Sequence, residues 1–559
     1  ISLLLSWVTA ITLTPFFAHI MFKETITNKN IDGDETKPNN QNEDHYKGAI
    51  FTGYKALLSL CMKHRAITLF MMLALFVMSV IGFGQVKQSF FPKSNTPMFY
   101  LDYWRFQGSD IRETQKDIES IQAYLLKQNK VTQITSTVGR GAPRFMLTYA
   151  PEKSYPAFGQ LIIRVENREA LPEVMGDLRT YVSENYPQAQ FKVKAMEIGP
   201  TTDAKIEARF SGPDPDVLRN LALQATQVLK DDGKAFNIRH DWRERTKVIR
   251  PQFNEAMGRR VGVSKHDIDE LLLTNFSGQQ VGLYREGTKL LPIVARAPKE
   301  ERLNIDTLPE LQVYSASSGK HVPITQVING FETDWEDSLI MRRDRKRTIT
   351  VMADHDVLGD ETAASLFNRV KAPIEAIKLP QGYSFEWGGE HESSKKAQAA
   401  LFGGLPLGYL VMFAITVLLF NSIKAPLVIW ATVPLALIGV STGLLVMGAP
   451  FSFMALLGLL SLSGMLIKNG IVLVDQINLE LREGKEPYNA VFDSAVSRVR
   501  PVAMAAITTI LGMIPLLFDV FFESMAVTIM FGLGFATILT LIVVPVLFTV
   551  LYKIKAVQD

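Results

Sequence analysis

Residues 458–477 read GLLSLSGMLIKNGIVLVDQI, an apolar run interrupted near its middle by Lys468 and Asn469. In hydrocarbon an ammonium costs a few kcal/mol even after the bilayer relaxes around it. If the helix ends near Asn478, about ten residues at roughly 1.5 Å each put Lys468 some 15 Å deep. That is too far for the side chain to snorkel out to water. Asp475 shares the face of Lys468 but lies two turns away, so the two cannot pair directly. Two roles fit such a lysine: a fixed ion pair with an acid on another helix, or a pair whose occupancy changes with protonation. Both need a carboxylate. This chain has no other Asp or Glu at mid-membrane depth, so the acid is expected from a segment outside it.

No other stretch carries comparable chemistry. The eight histidines are scattered, and no HxxxH or CxxC spacing marks a metal site. GFGQVK and GLGFAT are glycine pairs without the lysine and hydroxyl of a phosphate loop, and they suit close helix packing. VGRGAPRF (138–145) is either an ordinary connection between strands or a loop that meets a ligand. Beside it, Phe145, Met146 and Tyr149 form an apolar and aromatic group suited to greasy ligands. A core strand would carry the same residues. No enzyme signature and no cofactor motif is present.

These residues must be positioned by a long chain of 559 residues, 47% hydrophobic, with mean hydropathy +0.11. The average hides segregation, because apolar runs lie at both ends and a charged middle separates them. A net charge of +3 gives no argument for nucleic acid as a partner, and a single cysteine, Cys61, excludes an internal disulfide. Runs long enough to span hydrocarbon lie at 66–84, 399–420, 425–447, 453–477, 502–518 and 525–551. The opening ISLLLSWVTAITLTPFFAHIMFK reads as the end of a further membrane helix, so the chain is expected to be part of a longer protein. Lys55, Lys63, Arg65, Lys424, Arg482, Lys485, Arg498, Arg500, Lys553 and Lys555 fall on alternate connections, while GAPFS (449–453) and DVFFES (519–524) carry no basic residue. The positive-inside rule makes the first set cytoplasmic.

Residues 24–46 are polar and rich in Gly, Pro and Asn, as a flexible linker would be. The next stretch, KGAIFTGYKALLSLCMKH, suits a helix lying on the inner surface, or an ordinary cytoplasmic helix. The segment of more than 300 residues between the first and second full spans is then exterior. Its strands near 98–106, 131–138, 160–165 and 190–197, with helices at 109–126 and 171–184, give the order βαββαβ, a split-βαβ module. A second module begins with a strand at 204–210 and a helix from Pro215, and returns at 348–355 and 384–389. Residues 248–334 form an insertion in it.

LSLSGMLIKNGIVLVDQ, followed by a basic loop and AVSRVRPVAMAAITTILGMIPL, resembles the tenth and eleventh membrane helices of resistance-nodulation-division efflux pumps, in the drug-exporting (hydrophobe/amphiphile) branch. SLLLSWVTAITLTP is similar to that family's sixth helix, and SFFPKSNTP to the exit from its seventh. The likeness covers essentially the whole chain, as the C-terminal half of one protomer. It implies an α-helical transmembrane bundle of six full spans and part of a seventh, with a large α+β exterior region. Residues 1–23 would end helix six, 24–65 would be linker and surface helix, 66–86 helix seven, and 397–559 helices eight to twelve. Ferredoxin-like porter subdomains would occupy 95–200, and 201–247 with 335–396, and a docking subdomain 248–334.

The resemblance further implies a homotrimer in the inner membrane of a Gram-negative bacterium, joined to a periplasmic adaptor (membrane fusion) protein and an outer-membrane channel. Paired aspartates on a fourth helix would face the lysine matched by Lys468, beside Asn469, and Arg498 matches the relay arginine. The relay threonine falls near Ala505, and Thr508 and Thr509 stand about one turn away, so Thr508 is the candidate hydroxyl. The cleft loop is often rich in phenylalanine, whereas TSTVGRGAPRFMLTY keeps Phe145 and Tyr149. The implied activity is proton antiport of small amphiphilic substrates such as drugs, detergents or bile-salt-like compounds. A metal-ion exporter would cluster Met or carboxylates in the cleft, but Met98, Met146, Met175, Met196 and Met352 are dispersed. A protein-translocation or sorting module of related membrane fold would have a much smaller exterior.

Overall fold

The computed structural model describes residues 48–92, 94–200, 202–302, 304–359 and 361–554, with Val8, Ile11, Thr12 and Phe16. The expected linker at 24–46, and nearly all of the opening helix at 1–23, lie outside the described residues. The chain divides into two compact units, 1–54 and 55–559. The first contains the start of the helix Ala49–Lys63. Everything that follows concerns the second.

Among the described residues, six helices are long and apolar enough to cross a membrane: Arg65–Phe83, Gly389–Phe420, Lys424–Met447, Phe453–Arg482, Pro487–Phe518 and Glu523–Leu551, here the first to sixth spans. The sixth is central, with most of its length buried, and it packs on the third, fourth and fifth. Glycine permits that approach. A Cβ on Gly439 or Gly443 of the third span would run into Phe531, and one on Gly532 would lie 2.3 Å from Leu462 Cδ2. Small residues spaced four apart let membrane helices touch backbone to backbone. Of the two glycine pairs read as packing devices, Gly532 therefore meets that description most directly. The third span breaks into a 3₁₀ turn at Val433–Leu435, where Pro434 lacks the N–H that a continuous helix needs.

The mixed α/β region starts with β1 (Met98–Trp104), α1 (Ile111–Leu125), β2 (Val131–Val138), β3 (Phe158–Val165), α2 (Leu171–Asn185) and β4 (Gln190–Ala195). The sheet is antiparallel in the order β2-β3-β1-β4, the arrangement of a split βαβ. Alternation on β1 sends Phe99, Leu101 and Tyr103 into a core with Ile118, Ile121 and Leu125 of α1. Tyr100, Asp102 and Trp104 then necessarily face the other way. Asp110 caps α1 by accepting from Arg112 N at 2.8 Å.

The second module opens with β5 (Ile206–Ser211), α3 (Pro215–Asp232) and β6 (Phe236–His240). The chain leaves along β7 (Thr246–Phe253) and forms two hairpins, β8–β9 (Gln279–Glu286, Lys289–Ala295) and β10–β11 (Gln312–Ser315, Lys320–Pro323). It returns along β12 (Ile328–Glu336), which pairs antiparallel with β7, so the insertion hangs on a two-stranded ribbon. The module closes with β13 (Arg342–Arg343), β14 (Lys346–Asp354), α4 (Ala363–Glu375) and β15 (Ser384–Trp387). Its sheet runs β6-β14-β5-β15, with β13 also on β14, so the strand order of the first module is repeated. Strand β6 is the element that the sequence pattern hid, because none of FNIRH is fully buried on either face.

Two expectations follow from this packing. Gly159 on β3 has no room for a side chain, since a Cβ would stand 2.5 Å from Ile118 Cγ1. Gly159→Ala should destabilise the protein by about 1–3 kcal/mol through overpacking. Ile118→Val in the same molecule should recover part of that loss, as thermal unfolding of the single and double variants would report.

The second concerns Asp241, just beyond β6, which accepts from Thr350 N at 2.8 Å. Burial pushes its carboxyl from 3.8 up to about 6, against the pull of the Thr350 hydrogen bond. A raised folded value favours the folded state below pH 4, and that contribution disappears as pH climbs through 6. Asp241→Asn, which keeps the acceptor, should therefore raise the melting temperature at pH 7, with the gap to the parent closing below pH 4. A gap independent of pH would exclude this titration as the cause.

Candidate functional site

Lys468 is the sixteenth residue of the thirty-residue fourth span, which continues past Asn478 to Arg482. Leu462, Leu466, Leu473 and Ile477 turn inward to the bundle. Ser461, Gly464, Lys468 and Asp475, spaced three, four and seven apart, form an exposed stripe. A Cβ added at Gly464 would meet nothing within 4 Å. Among the described residues no hydrogen bond or ion pair reaches the Lys468 ammonium or the Asp475 carboxylate. Asn469, the next residue, is half-buried. The fifth span is open as well, with little of its apolar part buried. Thr508 lies on its exposed side and spends its hydroxyl on the carbonyls of Met504 and Ala505, at 2.9 and 3.0 Å.

Arg498 is placed differently from the other three. One of its terminal nitrogens donates to Gln476 Oε1 on the fourth span, while its Nε is buried without a hydrogen-bond partner among the described residues. Gln476 donates on to Glu480 at 3.2 Å, and Lys485 pairs with both Glu480 and Asp493, at 2.9 and 2.5 Å. The structure thus ties Arg498 into a polar chain at the basic end of the bundle rather than to Lys468. Sequence reasoning missed Gln476 and Glu480, although their spacing of four on one helix is the signal that would have found them.

The other three candidates sit in the loop between β2 and β3, where 145–149 is a turn and not a strand. Phe145 is 42% exposed and its ring lies 4.6 Å from that of Tyr149. Tyr149 is buried, and its hydroxyl donates to Gln160 Oε1 at 2.8 Å. Met146 borders a shallow crevice with Tyr100 and Glu197.

Gln160 leads into a cavity of roughly 160 Å³ between the two modules. Its amide donates to Asp102 Oδ1 at 2.7 Å, and burial pushes that carboxyl upward while Gln160 and Lys192 pull it back. Lys192 on β4 pairs with Asp354 on β14 at 3.1 Å. Burial draws Lys192 down to about 8, with Asp354 opposing. Desolvation also works against the Asp354 carboxylate, but Lys192 and Arg239 hold it well below its ordinary value. Arg243 lies over the Trp104 ring and donates to Gln190 Oε1 at 3.1 Å. Burial lowers Arg243 to about 10. Glu152, Asp203 and Asp241 share the lining, so the cleft is charged on every side. Among the described residues, no three of His, Cys, Asp and Glu stand together as a metal site.

Comparison with known proteins places this architecture. The chain is 24% identical over 579 residues to the swarming motility protein SwrC of Bacillus subtilis (strain 168), covering 98% of this chain and 51% of that protein. It is 29% identical over 383 residues to the nickel and cobalt resistance protein CnrA of Cupriavidus metallidurans, covering 66% and 35%. To the cobalt-zinc-cadmium resistance protein CzcA of the same organism it is 24% identical over 521 residues, covering 89% and 48%. A crystal structure of a heavy metal efflux pump shares the fold, with TM-score 0.77 at 20% identity over 90% of this chain and 52% of that one. The chain therefore spans about half the length of the relatives that it matches along most of its own length. Its residues 1–552 match the AcrB/AcrD/AcrF family, and the chain belongs to that family of resistance-nodulation-division permeases.

Proposed function

We propose that this chain is the C-terminal half of a proton-driven efflux permease and that the cargo is a metal cation. The observation that carries the energy coupling is the uncovered stripe of the fourth span. It presents an ammonium at mid-helix with no acid beside it among the described residues, and we place carboxylates of an N-terminal half there. While those acids are ionised they compensate Lys468 and draw the helices together. Once protonated they attract it less, and the ammonium turns to Asn469, a hydroxyl or water. The lysine supplies a constant charge and the acids carry the proton. Arg498 and Thr508 stand at the basic end and on the open face of the neighbouring span, where a relay would continue.

For the cargo, support comes from relatives named for resistance to nickel, cobalt, zinc and cadmium, and from the character of the cleft. Carboxylates, amides and phenols line it among Lys192, Lys194, Arg239 and Arg243, and such oxygen donors suit divalent cations better than greasy solutes. These groups would have to converge as the cleft rearranges. A second reading, export of amphiphiles, has one observation in its favour: Phe145 and Leu147 form an exposed apolar lip, Leu147 being 87% exposed. In either case we assign 95–200, and 201–247 with 335–396, to porter subdomains and 248–334 to docking, in a homotrimer with a periplasmic adaptor and an outer-membrane channel. The β8–β9 hairpin supports self-assembly, since Leu283, Leu291 and Ile293 are exposed along it.

The test uses the intact protein in proteoliposomes with an imposed proton gradient, following cobalt, nickel and zinc in parallel with a bile salt. Lys468→Met should be inserted at the level of the parent and lose gradient-driven transport, and Lys468→Arg should be impaired because a planar guanidinium makes different contacts. Normal transport by Lys468→Met at normal abundance would make the lysine structural. Bile-salt transport without metal transport would replace the first cargo by the second.

A further inference from the structure

A second cavity, roughly 350 Å³, opens at the end of the bundle opposite the basic loops, under the second exterior module. Its floor is built where two connections cross. Phe451 N donates to Lys87 O at 2.8 Å and Phe453 N to Phe90 O at 3.1 Å, so the chain leaving the first span is bonded to the chain entering the fourth. This floor presents Phe453 and Leu456, in the first turn of the fourth span. One wall is α4 of the second module and the other is the first turns of the second span. They meet through Phe367 and His391, whose rings stack at 4.3 Å.

Each of those two residues is followed four positions later, hence one turn on along the same face, by a lysine: Lys371 after Phe367, and Lys395 after His391. Both lysines line the cavity. Lys371 Nζ lies 5.8 Å over the Phe367 ring, and Lys395 is exposed. Neither has an acidic partner among the described residues. Of the acids nearby, Glu390 pairs with Lys205 at 3.0 Å, and Glu375 accepts the indole N–H of Trp387 at 2.9 Å and makes no ion pair with either lysine. The groove therefore combines two ammonium groups that form no ion pair among the described residues with an apolar floor below, at the ends of the second and fourth spans.

From this arrangement we infer a binding site for an anionic amphiphile, with a carboxylate, sulfate or phosphate head between Lys371 and Lys395 and an alkyl chain along Phe453 and Leu456. A neutral head would leave the two charges unmet, and an inorganic anion would leave the floor bare. Two sources supply such a molecule, an anionic phospholipid of the surrounding leaflet and a free single-chain amphiphile. The site is separate from the intermodule cleft and does not depend on what the cleft exports.

The experiment measures binding of labelled dodecanoate to the intact protein in phosphatidylcholine nanodiscs, with unlabelled dodecyl maltoside as the neutral-headed competitor. Binding should saturate and resist dodecyl maltoside. Lys371→Gln with Lys395→Gln should weaken it by about thirtyfold, the effect of removing two interfacial cations. Lys378→Gln, an exposed lysine beyond the end of α4, should leave it unchanged, and melting temperatures confirm that all three proteins are folded. Discs containing phosphatidylglycerol separate the sources. Co-purified phosphatidylglycerol that depends on the two lysines and resists dodecanoate assigns the site to a lipid, whereas its displacement assigns the site to a free amphiphile. Equal dodecanoate binding by the double variant and the parent, or equal competition by dodecyl maltoside, overturns the proposal.

Discussion

Hydrocarbon offers an ammonium neither water nor counter-charge, and Lys468 sits halfway along the fourth span. Every neighbouring helix must accommodate that fact. The fourth span resolves it by dividing its surface, with Leu462, Leu466, Leu473 and Ile477 packed against the bundle and the lysine stripe left outside it. The sixth span can then serve as the hub because Gly532, Gly439 and Gly443 remove the side chains that would hold its neighbours away. Close packing on one side and an open polar stripe on the other are two results of the same constraint. A helix that buried its lysine within this bundle would have needed an acid at the same depth, and the described spans offer none there.

Outside the membrane the same economy of charge recurs in a different medium. The two modules repeat one strand order, and in each the apolar strand faces turn toward helices. The faces left over meet across the cleft and carry Asp102, Lys192 and Arg239, with Asp354 paired to the last two. Buried charges of this kind are tolerated only when paired and hydrogen-bonded. Lys192 with Asp354, and Gln160 with Asp102 and Tyr149, supply those partners. The interface is therefore held by directional polar contacts, which can exchange partners, rather than by a greasy seam. That character distinguishes it from the aromatic lip at Phe145, a few residues away on the same loop.

Much of this was legible beforehand because it rests on short-range periodicity. The six spans follow from runs of apolar residues, and the modules from alternation in strands and the three-to-four spacing of Ile118, Ile121 and Leu125. The capped start of α3 follows from Asp214 before Pro215, where the carboxylate accepts from Asp216 N at 2.8 Å. Lys468 announced itself because a charge among apolar residues is anomalous whatever the fold. Strand β6 was not legible, since a short edge segment with half-buried residues on both faces carries no alternation.

What the tertiary structure alone decided is which side chains meet. Residues 458–477 determined that a lysine lies deep in a membrane helix, but not that Arg498 would reach Gln476 instead of that stripe. The spacing of Phe145, Met146 and Tyr149 determined that they are neighbours. Only the fold turned Tyr149 inward onto Gln160 and left Phe145 outside. Likewise Lys371 and Lys395 are unremarkable in sequence, and they share a groove only because Phe367 stacks on His391. The physical reason is range. Helix and strand patterns are set by residues three or four apart, whereas the charge balance of a cleft depends on groups brought together from distant parts of the chain.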